Sequence, residues 1–97
     1  MVWTPKILEK IDGIAMEGIK AKAYPGCQIL ILKDGKPVYD KSFGTFTYES
    51  DQKVEKDDLY DLASLTKTTA TLLAVMKLYD EGKFGLTDRI SQYIPAL

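Results

Sequence analysis

The sequence predicts an α+β fold made of an amphipathic helix, an antiparallel β-hairpin and a second, strongly apolar helix. Three observations carry this prediction. Apolar residues recur at helical spacing near the start of the chain, a β-rich run precedes a tight-turn dipeptide, and an apolar stretch of helical length follows a polar loop. We expect the first helix at about 4–22, the hairpin at about 26–46, the polar loop at 47–58, the second helix at about 64–81 and a short turn or helix at 87–93.

Composition limits both the size and the chemistry of the protein. The 97 residues, 45% of them hydrophobic, suffice for one domain at most and exclude a disordered tail. A net charge of −1 without a basic block argues against a nucleic-acid binder, and no apolar run is long enough to cross a bilayer. The chain has no His and no Asn, and its one cysteine, Cys27, cannot form an internal disulfide. Histidine-dependent catalysis and histidine-ligated zinc are therefore excluded, and no cofactor or metal is implied.

The first helix has clear start and stop signals. Thr4 offers a capping hydroxyl, and Pro5 suits the first helical position. Tyr24-Pro25-Gly26 ends the element. The apolar positions form one stripe, which should pack on a flat surface; they are Ile7, Leu8, Ile11, Ile14, Ala15 and Ile19.

The hairpin follows directly. The run from Cys27 to Leu32 is nearly continuous in apolar character, which is typical of a strand covered on both faces. Asp34-Gly35 is a strong signal for a two-residue hairpin turn, since both residues of such a turn need a positive φ. The returning strand runs from Lys36 to about Gly44, and further strands must support the pair because an isolated hairpin is marginal in water.

The second helix is apolar on all sides rather than along one stripe, and Gly82 offers a left-handed cap at its end. Such a helix belongs inside a domain, covered from several directions. One hairpin and one amphipathic helix cannot easily enclose it. The sequence therefore indicates a chain cut from something larger.

Ser64 and Lys67 are the candidate catalytic residues. Their spacing puts a hydroxyl and an amine on one face of a helical turn, where the amine can deprotonate the hydroxyl for attack on an acyl carbon. The alternative from spacing alone is that Ser64 only caps the helix and Lys67 is a solvated surface residue. A second match to the same pattern, Ser50 to Lys53, lies in the polar loop and no apolar helix follows it.

The stretch from Tyr60 to Thr68, with the apolar helix behind it, strongly resembles the active-site segment of the serine β-lactamase and penicillin-binding-protein superfamily. Its class C β-lactamase, esterase and D-aminopeptidase branch is the most similar. The resemblance extends in the same order through Pro25-Gly26, Asp34-Gly35-Lys36, Gly44, Leu78-Tyr79-Asp80-Glu81-Gly82-Lys83, Leu86-Thr87-Asp88 and Tyr93-Ile94-Pro95.

Carried over by position, the resemblance implies that Ser64 is the nucleophile of an acyl-enzyme and that Lys67 handles its proton. It also implies that the Ser64 N–H is one oxyanion-hole donor and that the hairpin is part of a larger antiparallel sheet. The family's second motif, Tyr-x-Asn or Ser-x-Asn, is absent because the chain has no Asn. Its Lys/His-x-Gly motif lies on a late strand, whereas Lys83-Phe84-Gly85 follows the second helix.

The resemblance thus implies that residues 1–97 form a single partial domain, the N-terminal portion of a serine hydrolase acting on amide or ester bonds. β-Lactams, D-amino-acid peptides and small esters are its candidate substrates. The segment alone should be inactive and prone to self-association through exposed apolar surface. A non-catalytic sensor or interaction module with the same fold is the alternative. Fusion to another enzyme is possible in this family, and its members usually work in the periplasm or outside the cell.

Overall fold

A computed structural model describes residues 2–97, which fall into two compact units. The first unit ends at Leu59 and the second spans Tyr60–Leu97. The first contains helix α1 (Pro5–Lys20) and strands β1 (Gly26–Lys33) and β2 (Lys36–Gly44). The second contains a 3₁₀ turn (Ala63–Leu65), a π-helical turn (Lys67–Thr71), helix α2 (Leu72–Asp80) and a final 3₁₀ turn (Ile90–Gln92). Helices and an antiparallel hairpin together make the predicted α+β mixture.

Helix α1 begins where the sequence predicts. The Thr4 side-chain oxygen accepts a hydrogen bond from the N–H of Ile7 at 3.4 Å, and Pro5 stands at the first helical position. Both features satisfy the start of a helix, where backbone N–H groups have no partners within the helix. The helix ends at Lys20, two residues before the predicted limit.

The hairpin is antiparallel and its turn has the predicted geometry. Asp34 and Gly35 have φ values of 51° and 75°, as a two-residue turn of this kind requires. The register pairs Gly26 with Gly44 and Ile31 with Tyr39, and a bulge follows Ile31. Two strands form the sheet in the described residues.

One face of the hairpin is held to α1 by a polar cluster. Asp12, on α1, accepts hydrogen bonds from the Tyr39 hydroxyl and from Lys41, whose Nζ lies 2.8 Å from the nearer carboxylate oxygen. Tyr39 is buried, and so is Ala15 of α1. The cluster fixes the helix on β2.

The other face of the hairpin is open, and the prediction that both faces of β1 are covered is wrong for this structure. Leu30 is 60% exposed and Leu32 is 56% exposed. The physical reason is that the first unit has a single helix, which covers one face only.

The polar loop is not simply a solvated connector. Val54 is buried, and its N–H donates to the carbonyl of Gly44 at 3.0 Å. The Gln28 side chain, on β1, donates to the carbonyl oxygens of Glu55 and Asp58. The loop is therefore attached to the hairpin at two points.

The second helix differs from its prediction in winding and in burial. The sequence predicts one element over about 64–81, but the helical path consists of the 3₁₀ turn, the π turn and α2 in succession. None of its residues is buried, and Leu73 is 56% exposed. The second unit offers nothing that could surround this helix. Gly82 does end it with a φ of 71°, as predicted.

Asp12 makes the first unit sensitive to acid. Its hydrogen bond from Lys41, and then that from Tyr39, lower the pKa of the Asp12 carboxyl below its ordinary value of 3.8. The folded chain therefore binds this proton more weakly than the unfolded chain does. The stability from Asp12 is complete above that ordinary value and is lost as the pH falls through the lowered pKa.

Replacing Tyr39 with phenylalanine should lower the melting temperature of the chain by about 5 °C, because the Asp12 carboxylate loses a buried donor while the ring still packs. Circular dichroism of the 97-residue chain measures this change. Tyr48→Phe is the matched control, since its exposed hydroxyl donates to the Lys22 carbonyl and its removal should change the melting temperature less. Equal shifts for the two variants would contradict the role given to Tyr39.

Candidate active site

Ser64 and Lys67 lie side by side in the second unit. The Lys67 Nζ donates a hydrogen bond to the Ser64 Oγ at 3.1 Å. Ser64 stands in the middle of the 3₁₀ turn, and Lys67 is the first residue of the π turn. The spacing of three residues predicts this contact, and the structure brings the two groups together. The Ser64 hydroxyl therefore has a lysine partner, which a capping role alone would not require.

The residue before Ser64 has an unusual backbone. Ala63 has a φ of 45°, in the left-handed region that residues with a Cβ atom seldom adopt. Its N–H donates to a carboxylate oxygen of Asp61 at 2.8 Å. Sequence reasoning missed this feature. The available signal was Asp61 itself, since Asp side chains often bond to the backbone two residues further along.

The turn after Ser64 is widened rather than regular. The hydroxyls of Thr68 and Thr69 both donate to the carbonyl oxygen of Leu65, at 3.0 and 2.8 Å. Such bonds compete with the backbone ladder and bend a helix. They accompany the π turn at Lys67–Thr71, a kind of turn that is frequent at functional sites.

The chemistry available to this pair is nucleophilic. A serine hydroxyl is a weak nucleophile until a base takes its proton, and the base must lie within hydrogen-bond reach. The distance of 3.1 Å between Lys67 Nζ and Ser64 Oγ meets this requirement. Both residues are exposed, so an acyl compound can approach them in this structure. Among residues 2–97, no cluster of three or more His, Cys, Asp or Glu side chains could hold a metal ion.

The two weaker motif matches do not form comparable pairs. Ser50 accepts a hydrogen bond from the N–H of Gln52 at 3.0 Å, while Lys53 pairs with Thr45 in an isolated β-bridge. Lys83-Phe84-Gly85 follows α2 in an irregular segment and not on a strand. Neither match therefore adds to the site.

The segment after α2 is ordered by Asp88. Its carboxylate accepts hydrogen bonds from the Gly85 N–H at 2.7 Å and from the Tyr93 hydroxyl. The Gly85 bond, and then the Tyr93 bond, lower the pKa of the Asp88 carboxyl, and the same contact with Asp88 raises the pKa of Tyr93. The predicted turn over 87–93 is thus built around one carboxylate.

Helix α2 carries an open apolar pocket of about 390 Å³. It is lined by Leu72, Val75, Met76, Tyr79, Asp80, Phe84 and Leu86. Ser64 and Lys67 are not among its lining residues. The pocket does not provide walls for a substrate at the Ser64 hydroxyl.

Comparisons with known proteins identify the family of the chain. The sequence model of the family described as Beta-lactamase matches residues 11–97. A putative D-alanyl-D-alanine carboxypeptidase of Escherichia coli (strain K12) is 43% identical to the chain, over 74% of the chain and 18% of that protein. Protein flp of Staphylococcus aureus (strain NCTC 8325 / PS 47) is 34% identical, over 90% of the chain and 17% of that protein.

The chain therefore spans less than a fifth of the length of these curated relatives. No solved structure matches it. Within the described residues, none of the helices has both the length and the apolar character needed to cross a membrane.

Proposed function

Because the chain belongs to the beta-lactamase family, we propose that it carries the nucleophile and the proton acceptor of a serine hydrolase that acts through an acyl-enzyme. The observation that carries the proposal is the contact between Lys67 Nζ and Ser64 Oγ at 3.1 Å. A lysine and a serine at this distance can exchange a proton.

The proposed reaction has two stages. In its neutral form Lys67 takes the proton of the Ser64 hydroxyl, while the Ser64 oxygen bonds to the acyl carbon of the substrate. The tetrahedral intermediate then collapses, the bond to the leaving group breaks, and the proton passes to that group. Water later attacks the Ser64 ester, releases the acid and returns the hydroxyl. The charge on the tetrahedral oxygen needs hydrogen-bond donors, and the Ser64 N–H is the donor that we assign in this chain.

We propose that the substrate is an amide or ester, with β-lactams, D-amino-acid peptides and small esters as the candidates. The name of the Escherichia coli relative, a putative D-alanyl-D-alanine carboxypeptidase, supports the D-peptide class. The open face of the hairpin at Leu30 and Leu32 supports a further layer packed on that face. The sheet has only two strands in the described residues, which supports further strands paired at its edges. We propose accordingly that residues 1–97 are the N-terminal portion of one β-lactamase-like domain and act as part of a longer protein.

Labelling of Ser64 tests this function. The longer protein that carries this segment should form a covalent adduct with a fluorophosphonate or a fluorescent penicillin, and peptide mapping should place the adduct on Ser64. The Ser64→Ala variant should form no adduct, because it lacks the nucleophilic oxygen. Mass spectrometry of the intact protein measures both. A longer protein that never forms an adduct would overturn the hydrolase proposal and favour a non-catalytic sensor or interaction module.

A further inference from the structure

We propose that Asp61 is a positioning residue that acts on Ser64 through the backbone of Ala63, an inference that rests on the proposed function. Three observations meet at this point of the chain. Ala63 has a φ of 45°, the Asp61 carboxylate accepts its N–H at 2.8 Å, and Ser64 is the next residue.

The conformation of Ala63 needs support from its surroundings. A residue with a Cβ atom in the left-handed region is strained, and such strain persists only where neighbouring groups hold it in place. The Asp61 carboxylate supplies a charge-assisted hydrogen bond to the Ala63 N–H. The 3₁₀ bond from the Leu65 N–H to the Leu62 carbonyl, at 2.9 Å, closes the turn around Ala63.

The direction of Ser64 depends on this conformation. The φ of Ala63 sets the angle at which the chain enters the 3₁₀ turn, and hence the directions of the Ser64 N–H and of its side chain. If Ala63 relaxes to a negative φ, Ser64 turns and its Oγ leaves the position 3.1 Å from Lys67 Nζ. Misplacement of a reacting group by about 1 Å can cost about 10²-fold in rate.

A set of matched variants in the longer protein tests the inference. For each variant, the reaction of Ser64 with a fluorescent penicillin is measured over a range of penicillin concentrations, which gives a binding constant for the penicillin and a rate constant for the acylation. Asp61→Ala should lower the acylation rate constant by about 10–100-fold and leave the binding constant unchanged. Asp61→Asn should stay within about threefold of the unchanged protein, because the amide oxygen can accept the same bond. A direct effect of the Asp61 charge on Lys67 would instead make the two variants alike.

The decisive variant is the double change Asp61→Ala with Ala63→Gly. Glycine adopts a positive φ without strain, so the acylation rate constant should return to within about threefold of the unchanged protein. Ala63→Val should lower the rate constant as Asp61→Ala does, since a branched side chain is disfavoured at positive φ. Each of three results would overturn the inference: an acylation rate constant of Asp61→Ala equal to that of the unchanged protein, a rate constant of Asp61→Asn as low as that of Asp61→Ala, or a rate constant of the double variant that stays low.

Hydrogen exchange of the Ala63 amide separates this inference from the proposed function. In the longer protein, Asp61→Ala should speed the exchange of that N–H and Asp61→Asn should not. If the unchanged protein is not acylated, the proposed function fails. If Asp61→Ala leaves the exchange rate of the Ala63 N–H unchanged, the role assigned to Asp61 is overturned, whatever the result of the acylation experiment. Melting temperatures of all variants are measured alongside, so that a loss of folding is recognised.

Discussion

Replacing Lys67 with methionine in the longer protein should lower the rate of Ser64 acylation by about 10²–10⁴-fold, the usual contribution of a general base. Methionine has a similar length and an apolar end, so it cannot accept the Ser64 proton. The contact of 3.1 Å between Lys67 Nζ and Ser64 Oγ would be lost with the amine. Stopped-flow measurement of acylation by a fluorescent penicillin gives the rate, and circular dichroism checks the fold.

Lys67→Arg is the control that separates proton transfer from charge. Arginine keeps a positive charge near Ser64 but stays protonated throughout the accessible pH range, so it cannot act as a base. We expect Lys67→Arg to be as slow as Lys67→Met. If Ser64 of the arginine variant is acylated at the rate of the unchanged protein, a positive charge at position 67 is sufficient for the reaction. That result would contradict the role of proton acceptor given to Lys67.

The second large effect concerns the 97-residue chain on its own. It should react with a fluorophosphonate or a penicillin more slowly than the longer protein by more than about 10²–10³-fold, the cost of losing one oxyanion donor. The chain has no Asn for the family's second motif. Lys83-Phe84-Gly85, which matches the pattern of the family's Lys-x-Gly motif, lies in an irregular segment after α2 and not on a strand. Mass spectrometry after equal incubation compares the two proteins.

The comparison needs a control for association. Apolar side chains of α2 such as Leu73 and Met76 are about half exposed, and surfaces of this kind associate with one another. Sedimentation at each concentration used for labelling would report the state of the chain, which we expect to be larger than a monomer. Rapid labelling of Ser64 in the isolated chain would contradict its proposed inactivity.

Local signals in the sequence were sufficient for most of the fold. Three of the predicted features each depend on the chemistry of one or two neighbouring residues: the cap at Thr4, the turn at Asp34-Gly35 and the left-handed conformation of Gly82. The contact between Ser64 and Lys67 belongs to the same class, because a spacing of three residues fixes it within one helical turn. Their roles in catalysis remain proposals.

Features that depend on the rest of the chain were not predictable in this way. Val54 is buried within a strongly charged loop, and periodicity gives no sign of it. The change from a 3₁₀ turn to a π turn is accompanied by hydrogen bonds from the hydroxyls of Thr68 and Thr69, and a pattern of apolar residues gives no information on such bonds. The burial predicted for the second helix follows from its composition, but the second unit by itself has no surface that covers this helix.

The attachment of the polar loop has a consequence for how this protein can vary. The charged residues between Gly44 and Val54 can be exchanged without loss of this attachment only while the number of residues in that interval stays the same. A single deletion there would move Val54 to the outside and separate its N–H from the Gly44 carbonyl. Divergent copies of this segment should therefore differ here by substitution and keep their length, although a charged loop ordinarily tolerates gaps.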